Sequence, residues 1–160
     1  MDKMDIKEFT LEELKRELDA MGEPPHRAGQ LFSWLYKKGA EDFGQMTDLP
    51  RALAARLGKS YSCGLMKCAE HLASARDKTV KFLWTLDDGE KVETVLIREK
   101  ERNTVCLSTQ AGCRFRCPFC ASGTKGFVRN LSVAEITGQV LSAQKAAGIT
   151  VNNIVFMGMG

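Results

Sequence analysis

Residues 104–160 read as a strand, a capped helix and a second strand, an order that few folds accommodate. "TVCLST" (104–109) is a short strand rich in β-propensity. Ser132 and Glu135 stand three apart ahead of an apolar run, the pattern of a capping box that satisfies orphan backbone donors. The helix predicted after them places Val133, Ile136, Val140 and Ala147 on its inner side. "NIVFMGMG" (153–160) is almost wholly apolar, as expected of a parallel strand covered on both faces. Parallel neighbours need a crossover, which the helix supplies, so this segment is a βαβ unit. A parallel barrel does not close with so little, and the chain reads as the front of a longer protein.

The preceding residues have two other periods. Between Val80 and Ile97 the period is two: Val80, Phe82, Trp84 and Leu86 alternate with their neighbours, "DDG" (87–89) turns the chain, and "KVETVLI" (91–97) returns. Glu93, Val95 and Ile97 then share one strand face, with Glu93 at a strand end in water or half-buried. The first sixty residues are helical. Thr10 and Glu13 form another capping box, and Leu11, Leu14, Leu18 and Met21 make one stripe. A second helix buries Ala28, Leu31, Phe32 and Leu35. A third starts near Asp48 with Pro50 in its first turn and buries Leu49, Leu53 and Leu57. The fold class is α/β. The expected organisation is a helical accessory domain (1–60), a linker with a β-hairpin (61–103) and an incomplete core (104–160).

Cys113, Cys117 and Cys120 form C-x3-C-x2-C on the loop after strand 104–109. A structural zinc site takes two ligand pairs, but only one C-x2-C is present and both histidines, His26 and His71, are remote. Cys63 and Cys68 are the distant alternative source of a fourth ligand, and otherwise read as packing residues. A [4Fe–4S] cluster takes one thiolate per iron, so three cysteines leave one iron open for chemistry. The acid-bearing start, "MDKMDIKEF", is no secretory signal, and no apolar run is long enough to span a membrane. These point to the cytoplasm, where six cysteines suit metal or redox chemistry better than disulfide staples. The net charge of +3 is uninformative, but its distribution is not. No acid falls between Glu101 and Glu135, whereas Arg102, Arg114, Arg116, Lys125 and Arg129 do. Such a stretch attracts an anionic partner such as an RNA backbone, or else is a solvated loop or offsets the charge of a reduced cluster.

With this spacing on this loop, the chain resembles the radical S-adenosylmethionine (SAM) enzymes. "VETVLI", "CLSTQAGCRFRCPFCASGTKGFVRNL" and "FMGMG", with the N-terminal "HRAGQLFSWLYKKGAEDFGQMTDLPRAL", resemble the RlmN family of adenine-C2 methyltransferases. The resemblance implies the first βαβ unit of a partial (β/α) barrel. It also implies a [4Fe–4S] cluster on Cys113, Cys117 and Cys120 and SAM chelating the fourth iron. Phe119 would lie by the SAM adenine, and Gly158 and Gly160 would begin the motif that holds the SAM amino group. The implied substrates are 23S rRNA and tRNA. One SAM methylates an enzyme cysteine, a second yields a radical, and the activated methyl adds to carbon 2. Cys106 would then release the adduct through a disulfide bond, and Glu93 would accept a proton. Taken alone, Cys106 reads as a small buried hydrophobe and Glu93 as a surface carboxylate. A monomer served by an electron donor such as flavodoxin is expected. The methyl-carrying cysteine of the family lies nearer the C-terminus, so these 160 residues are expected to be inactive alone. The rivals are a Cfr-type adenine-C8 methyltransferase and a non-catalytic, metal-stabilised RNA-binding module.

Overall fold

The computed structural model describes residues 3–160, so the first two residues of "MDKMDIKEF" lie outside the described residues. The chain divides after Leu65 into two compact units, each with its own core.

In the first unit, strands β1 (Met4–Asp5) and β2 (Tyr61–Ser62) pair in parallel and bring its two ends together. Helix α1 (Leu11–Ala20) is capped as predicted: Glu13 N–H donates to Thr10 Oγ1 at 3.3 Å and Thr10 N–H donates to Glu13 Oε2 at 2.8 Å. Leu14 and Leu18 face inward. Helix α2 (His26–Ser33) runs on through a π-helical turn, Trp34–Lys38, into Gly39 at φ 64°. Helix α3 (Arg51–Ser60) buries Leu53 and Leu57. Pro50 is its N-cap, with extended ψ of 135°, and so stands one position before the first turn in which the sequence placed it. The cap residue's N–H is not a helical donor, so the proline removes nothing there. Lys7 is fully enclosed yet satisfied, its Nζ 2.8 Å from both Asp5 Oδ2 and Gly64 O. Cys63 is buried in this core, and burial pushes its thiol up to about 11, leaving it neutral and inert at ordinary pH.

The second unit is built on a mixed five-stranded sheet. Its order is β3 (Lys67–Ala73), β4 (Val80–Thr85), β5 (Lys91–Glu99), β6 (Arg102–Cys106), β9 (Asn153–Val155). The first four are antiparallel neighbours, and β9 pairs with β6 in parallel. The connection from β6 to β9 carries a two-stranded ribbon, β7 (Gln110–Gly112) with β8 (Phe127–Asn130), and then helix α4 (Val133–Ala147). The predicted capping box is present at Ser132 and Glu135. One sheet face, with Phe82, Trp84, Val92, Thr94, Leu96 and Val105, is buried with α4 residues Ala143, Ile136, Val140 and Ala147.

Four further expectations are corrected. Strand β3 was not foreseen, because its seven residues are all exposed at a sheet edge and carry no apolar alternation. Cys68 lies on it, exposed rather than packed. Val133 is exposed, since as the first helical residue it faces away from the row Ala134, Gly138 and Leu141 that the helix buries. The apolar run 153–160 forms a strand over only three residues. Ile154, Phe156 and Met157 are exposed, because β9 has β6 as its sole neighbour among the described residues.

Candidate active site

The sheet face opposite α4 is half-buried and holds the polar and reactive side chains. Val95 pairs with Cys106 across the β5–β6 ladder, and residues two apart on a strand share a face, so Glu93, Val95 and Cys106 stand together. Cys106 is also register partner of Val155 on β9. Glu93 is neither buried nor free: Lys81 Nζ on β4 sits 2.9 Å from its Oε1, both side chains 43% exposed. Such an open pair contributes little to stability, but it fixes the direction of the carboxylate.

Beyond Cys106 the chain enters the cysteine loop through a narrow neck. Gln110 pairs with Asn130 and Gly112 with Phe127, and Cys113 N–H donates to Gly126 O at 3.0 Å. Inside the neck the backbone turns tightly, with Cys120 N–H on Cys117 O and Gly123 N–H on Cys120 O, each at 3.0 Å. Cys113, Cys117 and Cys120 are half-buried free thiols. Among the described residues no three His, Cys, Asp or Glu side chains, the loop cysteines included, are gathered into a group that could hold a metal ion. In sequence the loop offers soft donors only, since no Asp, Glu or His falls between Glu101 and Glu135. That donor set suits an iron–sulfur cluster, each iron taking its own thiolate, and does not suit one tetrahedral zinc ion.

The other expected residues are placed unevenly. Gly158 and Gly160 lie against the segment leading into the loop. Gly158 N–H donates to Leu107 O at 3.1 Å, while Thr109 and Gln110 N–H donate to Met159 O at 2.8 and 3.0 Å. A Cβ on Gly158 would stand 2.6 Å from Leu107 O, so only glycine permits this approach. Phe119 is 90% exposed, and Phe115 on the same loop is 74% exposed.

The one-signed stretch is partly neutralised in space. Arg102 pairs with Glu99 at 2.8 Å, and Arg129 pairs with Asp88 and Glu135, each at 2.7 Å. Among the described residues Arg114, Arg116 and Lys125 keep no carboxylate partner, and Arg114 lies over the Phe127 ring at 4.5 Å. The sequence could not reveal these pairings, because the acids lie outside the stretch.

Arg129 ties the ribbon to the hairpin turn and to the helix start. Its guanidinium holds the Asp88 and Glu135 carboxyls below the usual carboxylate range, chiefly through hydrogen bonds. Lowered folded-state values mean stabilisation that is complete above the ordinary carboxylate range of about pH 4 and fades as pH falls through the lowered values. Trp34 and Trp84 are the only tryptophans, one in each unit, so a Trp34→Phe background reports the second unit alone. Its urea midpoint should fall on acidification below about pH 4, and Arg129→Leu should flatten that slope.

Residues 4–62 match the family described as the ribosomal RNA large subunit methyltransferase N-terminal domain. A dual-specificity RNA methyltransferase RlmN from Geobacter sulfurreducens is 47% identical over 161 residues, covering 100% of this chain and 44% of its own length. Over this stretch the chain is similar to the RlmN methyltransferases, and its residues 4–62 match their N-terminal domain. A probable RlmN from Clostridium perfringens is 44% identical over 155 residues, covering 97% of the chain and 45% of its own length. A solved radical SAM methyltransferase from Sphaerobacter thermophilus superimposes with a TM-score of 0.89 at 41% identity, over 98% of this chain and 47% of that one. The chain thus spans about half the length of the RlmN relatives it matches. Its sheet and α4 share the fold of the matching part of that radical SAM methyltransferase. No helix among the described residues is long and apolar enough to cross a membrane.

Proposed function

We propose that the whole protein is a radical SAM RNA methyltransferase that methylates carbon 2 of adenine in 23S rRNA and tRNA through a methyl-cysteine intermediate. The observation that carries this reading is the contact between the 157–160 glycine segment and residues 107–110, the entry to a loop whose only metal donors are three thiols. Cys113, Cys117 and Cys120 would hold a [4Fe–4S] cluster, with Gly158, Gly160 and Phe119 on the side of SAM. When bound, the pair supplies the one-electron chemistry needed to functionalise an electron-poor ring carbon that cannot act as a nucleophile.

The chain's own residues then have separable tasks. The glycine segment offers close backbone approach to SAM. Glu93, steered by Lys81, accepts the proton lost from carbon 2. The Cys106 thiol, on the same face, forms the disulfide that frees the methylated RNA from the methyl-carrying cysteine. Arg114, Arg116 and Lys125 are left to meet phosphate. The protein acts as a cytoplasmic monomer, reduced by a one-electron donor such as flavodoxin.

The test is anaerobic reaction of the reconstituted whole protein with 23S rRNA and tRNA, followed by mass spectrometry of the nucleosides. Methyl on carbon 2 is expected. Methyl on carbon 8 would move the protein to the Cfr type, and absence of iron with retained RNA binding would make it a binding module. The 160 residues alone should methylate nothing, since Cys63 is enclosed in the helical unit and Cys68 lies on the exposed edge strand β3. Methylated adenine from that chain would refute this part of the reading.

A further inference from the structure

The buried polar groups behind the site converge on one residue that the proposed chemistry does not use. Ser108, Gln139 and Thr94 are all fully enclosed. Gln139 on α4 grips Ser108 at both backbone groups: Ser108 N–H donates to Gln139 Oε1 at 3.0 Å, and Gln139 Nε2 donates to Ser108 O at 2.8 Å. A carboxamide thus stands in for a neighbouring strand where the ladder has ended, and the enclosed backbone is not left unpaired. Thr94 Oγ1 donates to the same Oε1 at 2.9 Å and accepts from Trp84 Nε1 at 2.9 Å, which anchors the clamp in the sheet core.

With its backbone held, the Ser108 hydroxyl is aimed in one direction. It donates to Glu93 O at 2.7 Å and accepts from Met159 N–H at 3.3 Å. One side chain therefore joins the strand carrying Glu93, the approach to the cysteine loop and the glycine segment. Core packing alone needs no hydroxyl here.

We propose that Ser108 is a positioning residue for the 157–160 segment, with Gln139 as its anchor, setting that segment's reach toward the amino group of SAM. This rests on the reading above for the identity of the ligand, but not for the linkage between Ser108 and Met159.

Ser108→Ala tests it in two arms. In the chain without cofactors, amide exchange at Met159 should accelerate by about tenfold, while amides of the β5–β6 ladder hold their protection. In the reconstituted whole protein, iron content should be unchanged, KM for SAM in reductive cleavage should rise about tenfold, and kcat at saturating SAM should change less than about threefold. Unchanged exchange and unchanged KM would overturn the proposal. So would loss of the Trp84 unfolding transition or of iron in the variant, since the hydroxyl would then serve the fold as a whole. If the wild type neither takes up iron nor cleaves SAM, the functional reading fails, while the exchange arm still decides the positioning role.

Discussion

Gly112→Ala should strip the second unit of the iron uptake proposed for it while leaving the helical unit folded. Gly112 closes the neck of the cysteine loop at φ 69°, a left-handed conformation costing an L-residue about 1–2 kcal/mol. Strain of that size alone would be tolerable. The decisive term is steric: an added Cβ falls far inside contact distance of Gly126 O and 3.0 Å from Gly126 C. Gly126 O is the acceptor that fastens Cys113 N–H, so the methyl group and the closing hydrogen bond compete for one space. The neck must open, Cys113 moves away from Cys117 and Cys120, and the entropy of ordering the loop is no longer offset. Iron per chain after anaerobic reconstitution should fall at least about fivefold, and the Trp34 unfolding transition should not shift. Full iron uptake by the variant would show that the neck does not govern the loop.

On the proposed chemistry, Cys106→Ala should arrest the whole protein after the RNA has become covalently attached. In that proposed intermediate, a carbon–carbon bond to the ring and a carbon–sulfur bond to the methyl-carrying cysteine would leave release dependent on a second thiol. Cys106 is half-buried on the face it shares with Glu93. Of the remaining cysteines, three sit in the loop, Cys63 is enclosed and Cys68 lies on an edge strand. Denaturing electrophoresis should show a protein–RNA adduct from Cys106→Ala and no more than a single turnover, whereas Cys68→Ala should behave as wild type. Repeated turnover by Cys106→Ala would assign the resolving role elsewhere.

Much of this was legible in the sequence because it is local. Both capping boxes, the hairpin register and the cysteine spacing are set by residues within a few positions of one another, and the structure holds each of them. What escaped depends on distant partners. Strand β3 has no apolar period because it is an edge, so no pattern announced it. Arg129 looked like part of a free basic stretch, but Asp88 approaches from the hairpin turn and Glu135 from the helix start. Nothing in the sequence singled out Gln139. Only the folded sheet brings the Ser108 backbone to both ends of its carboxamide and the Thr94 hydroxyl to its oxygen.

Iron and zinc content after anaerobic reconstitution, with and without each loop cysteine, decides whether these thiols hold an iron–sulfur cluster. Three thiols holding a four-iron cluster should give roughly four irons per chain in the native protein. Cys113→Ala, Cys117→Ala and Cys120→Ala should each retain far less. A single bound zinc in place of iron, or full iron retention in all three variants, would contradict it.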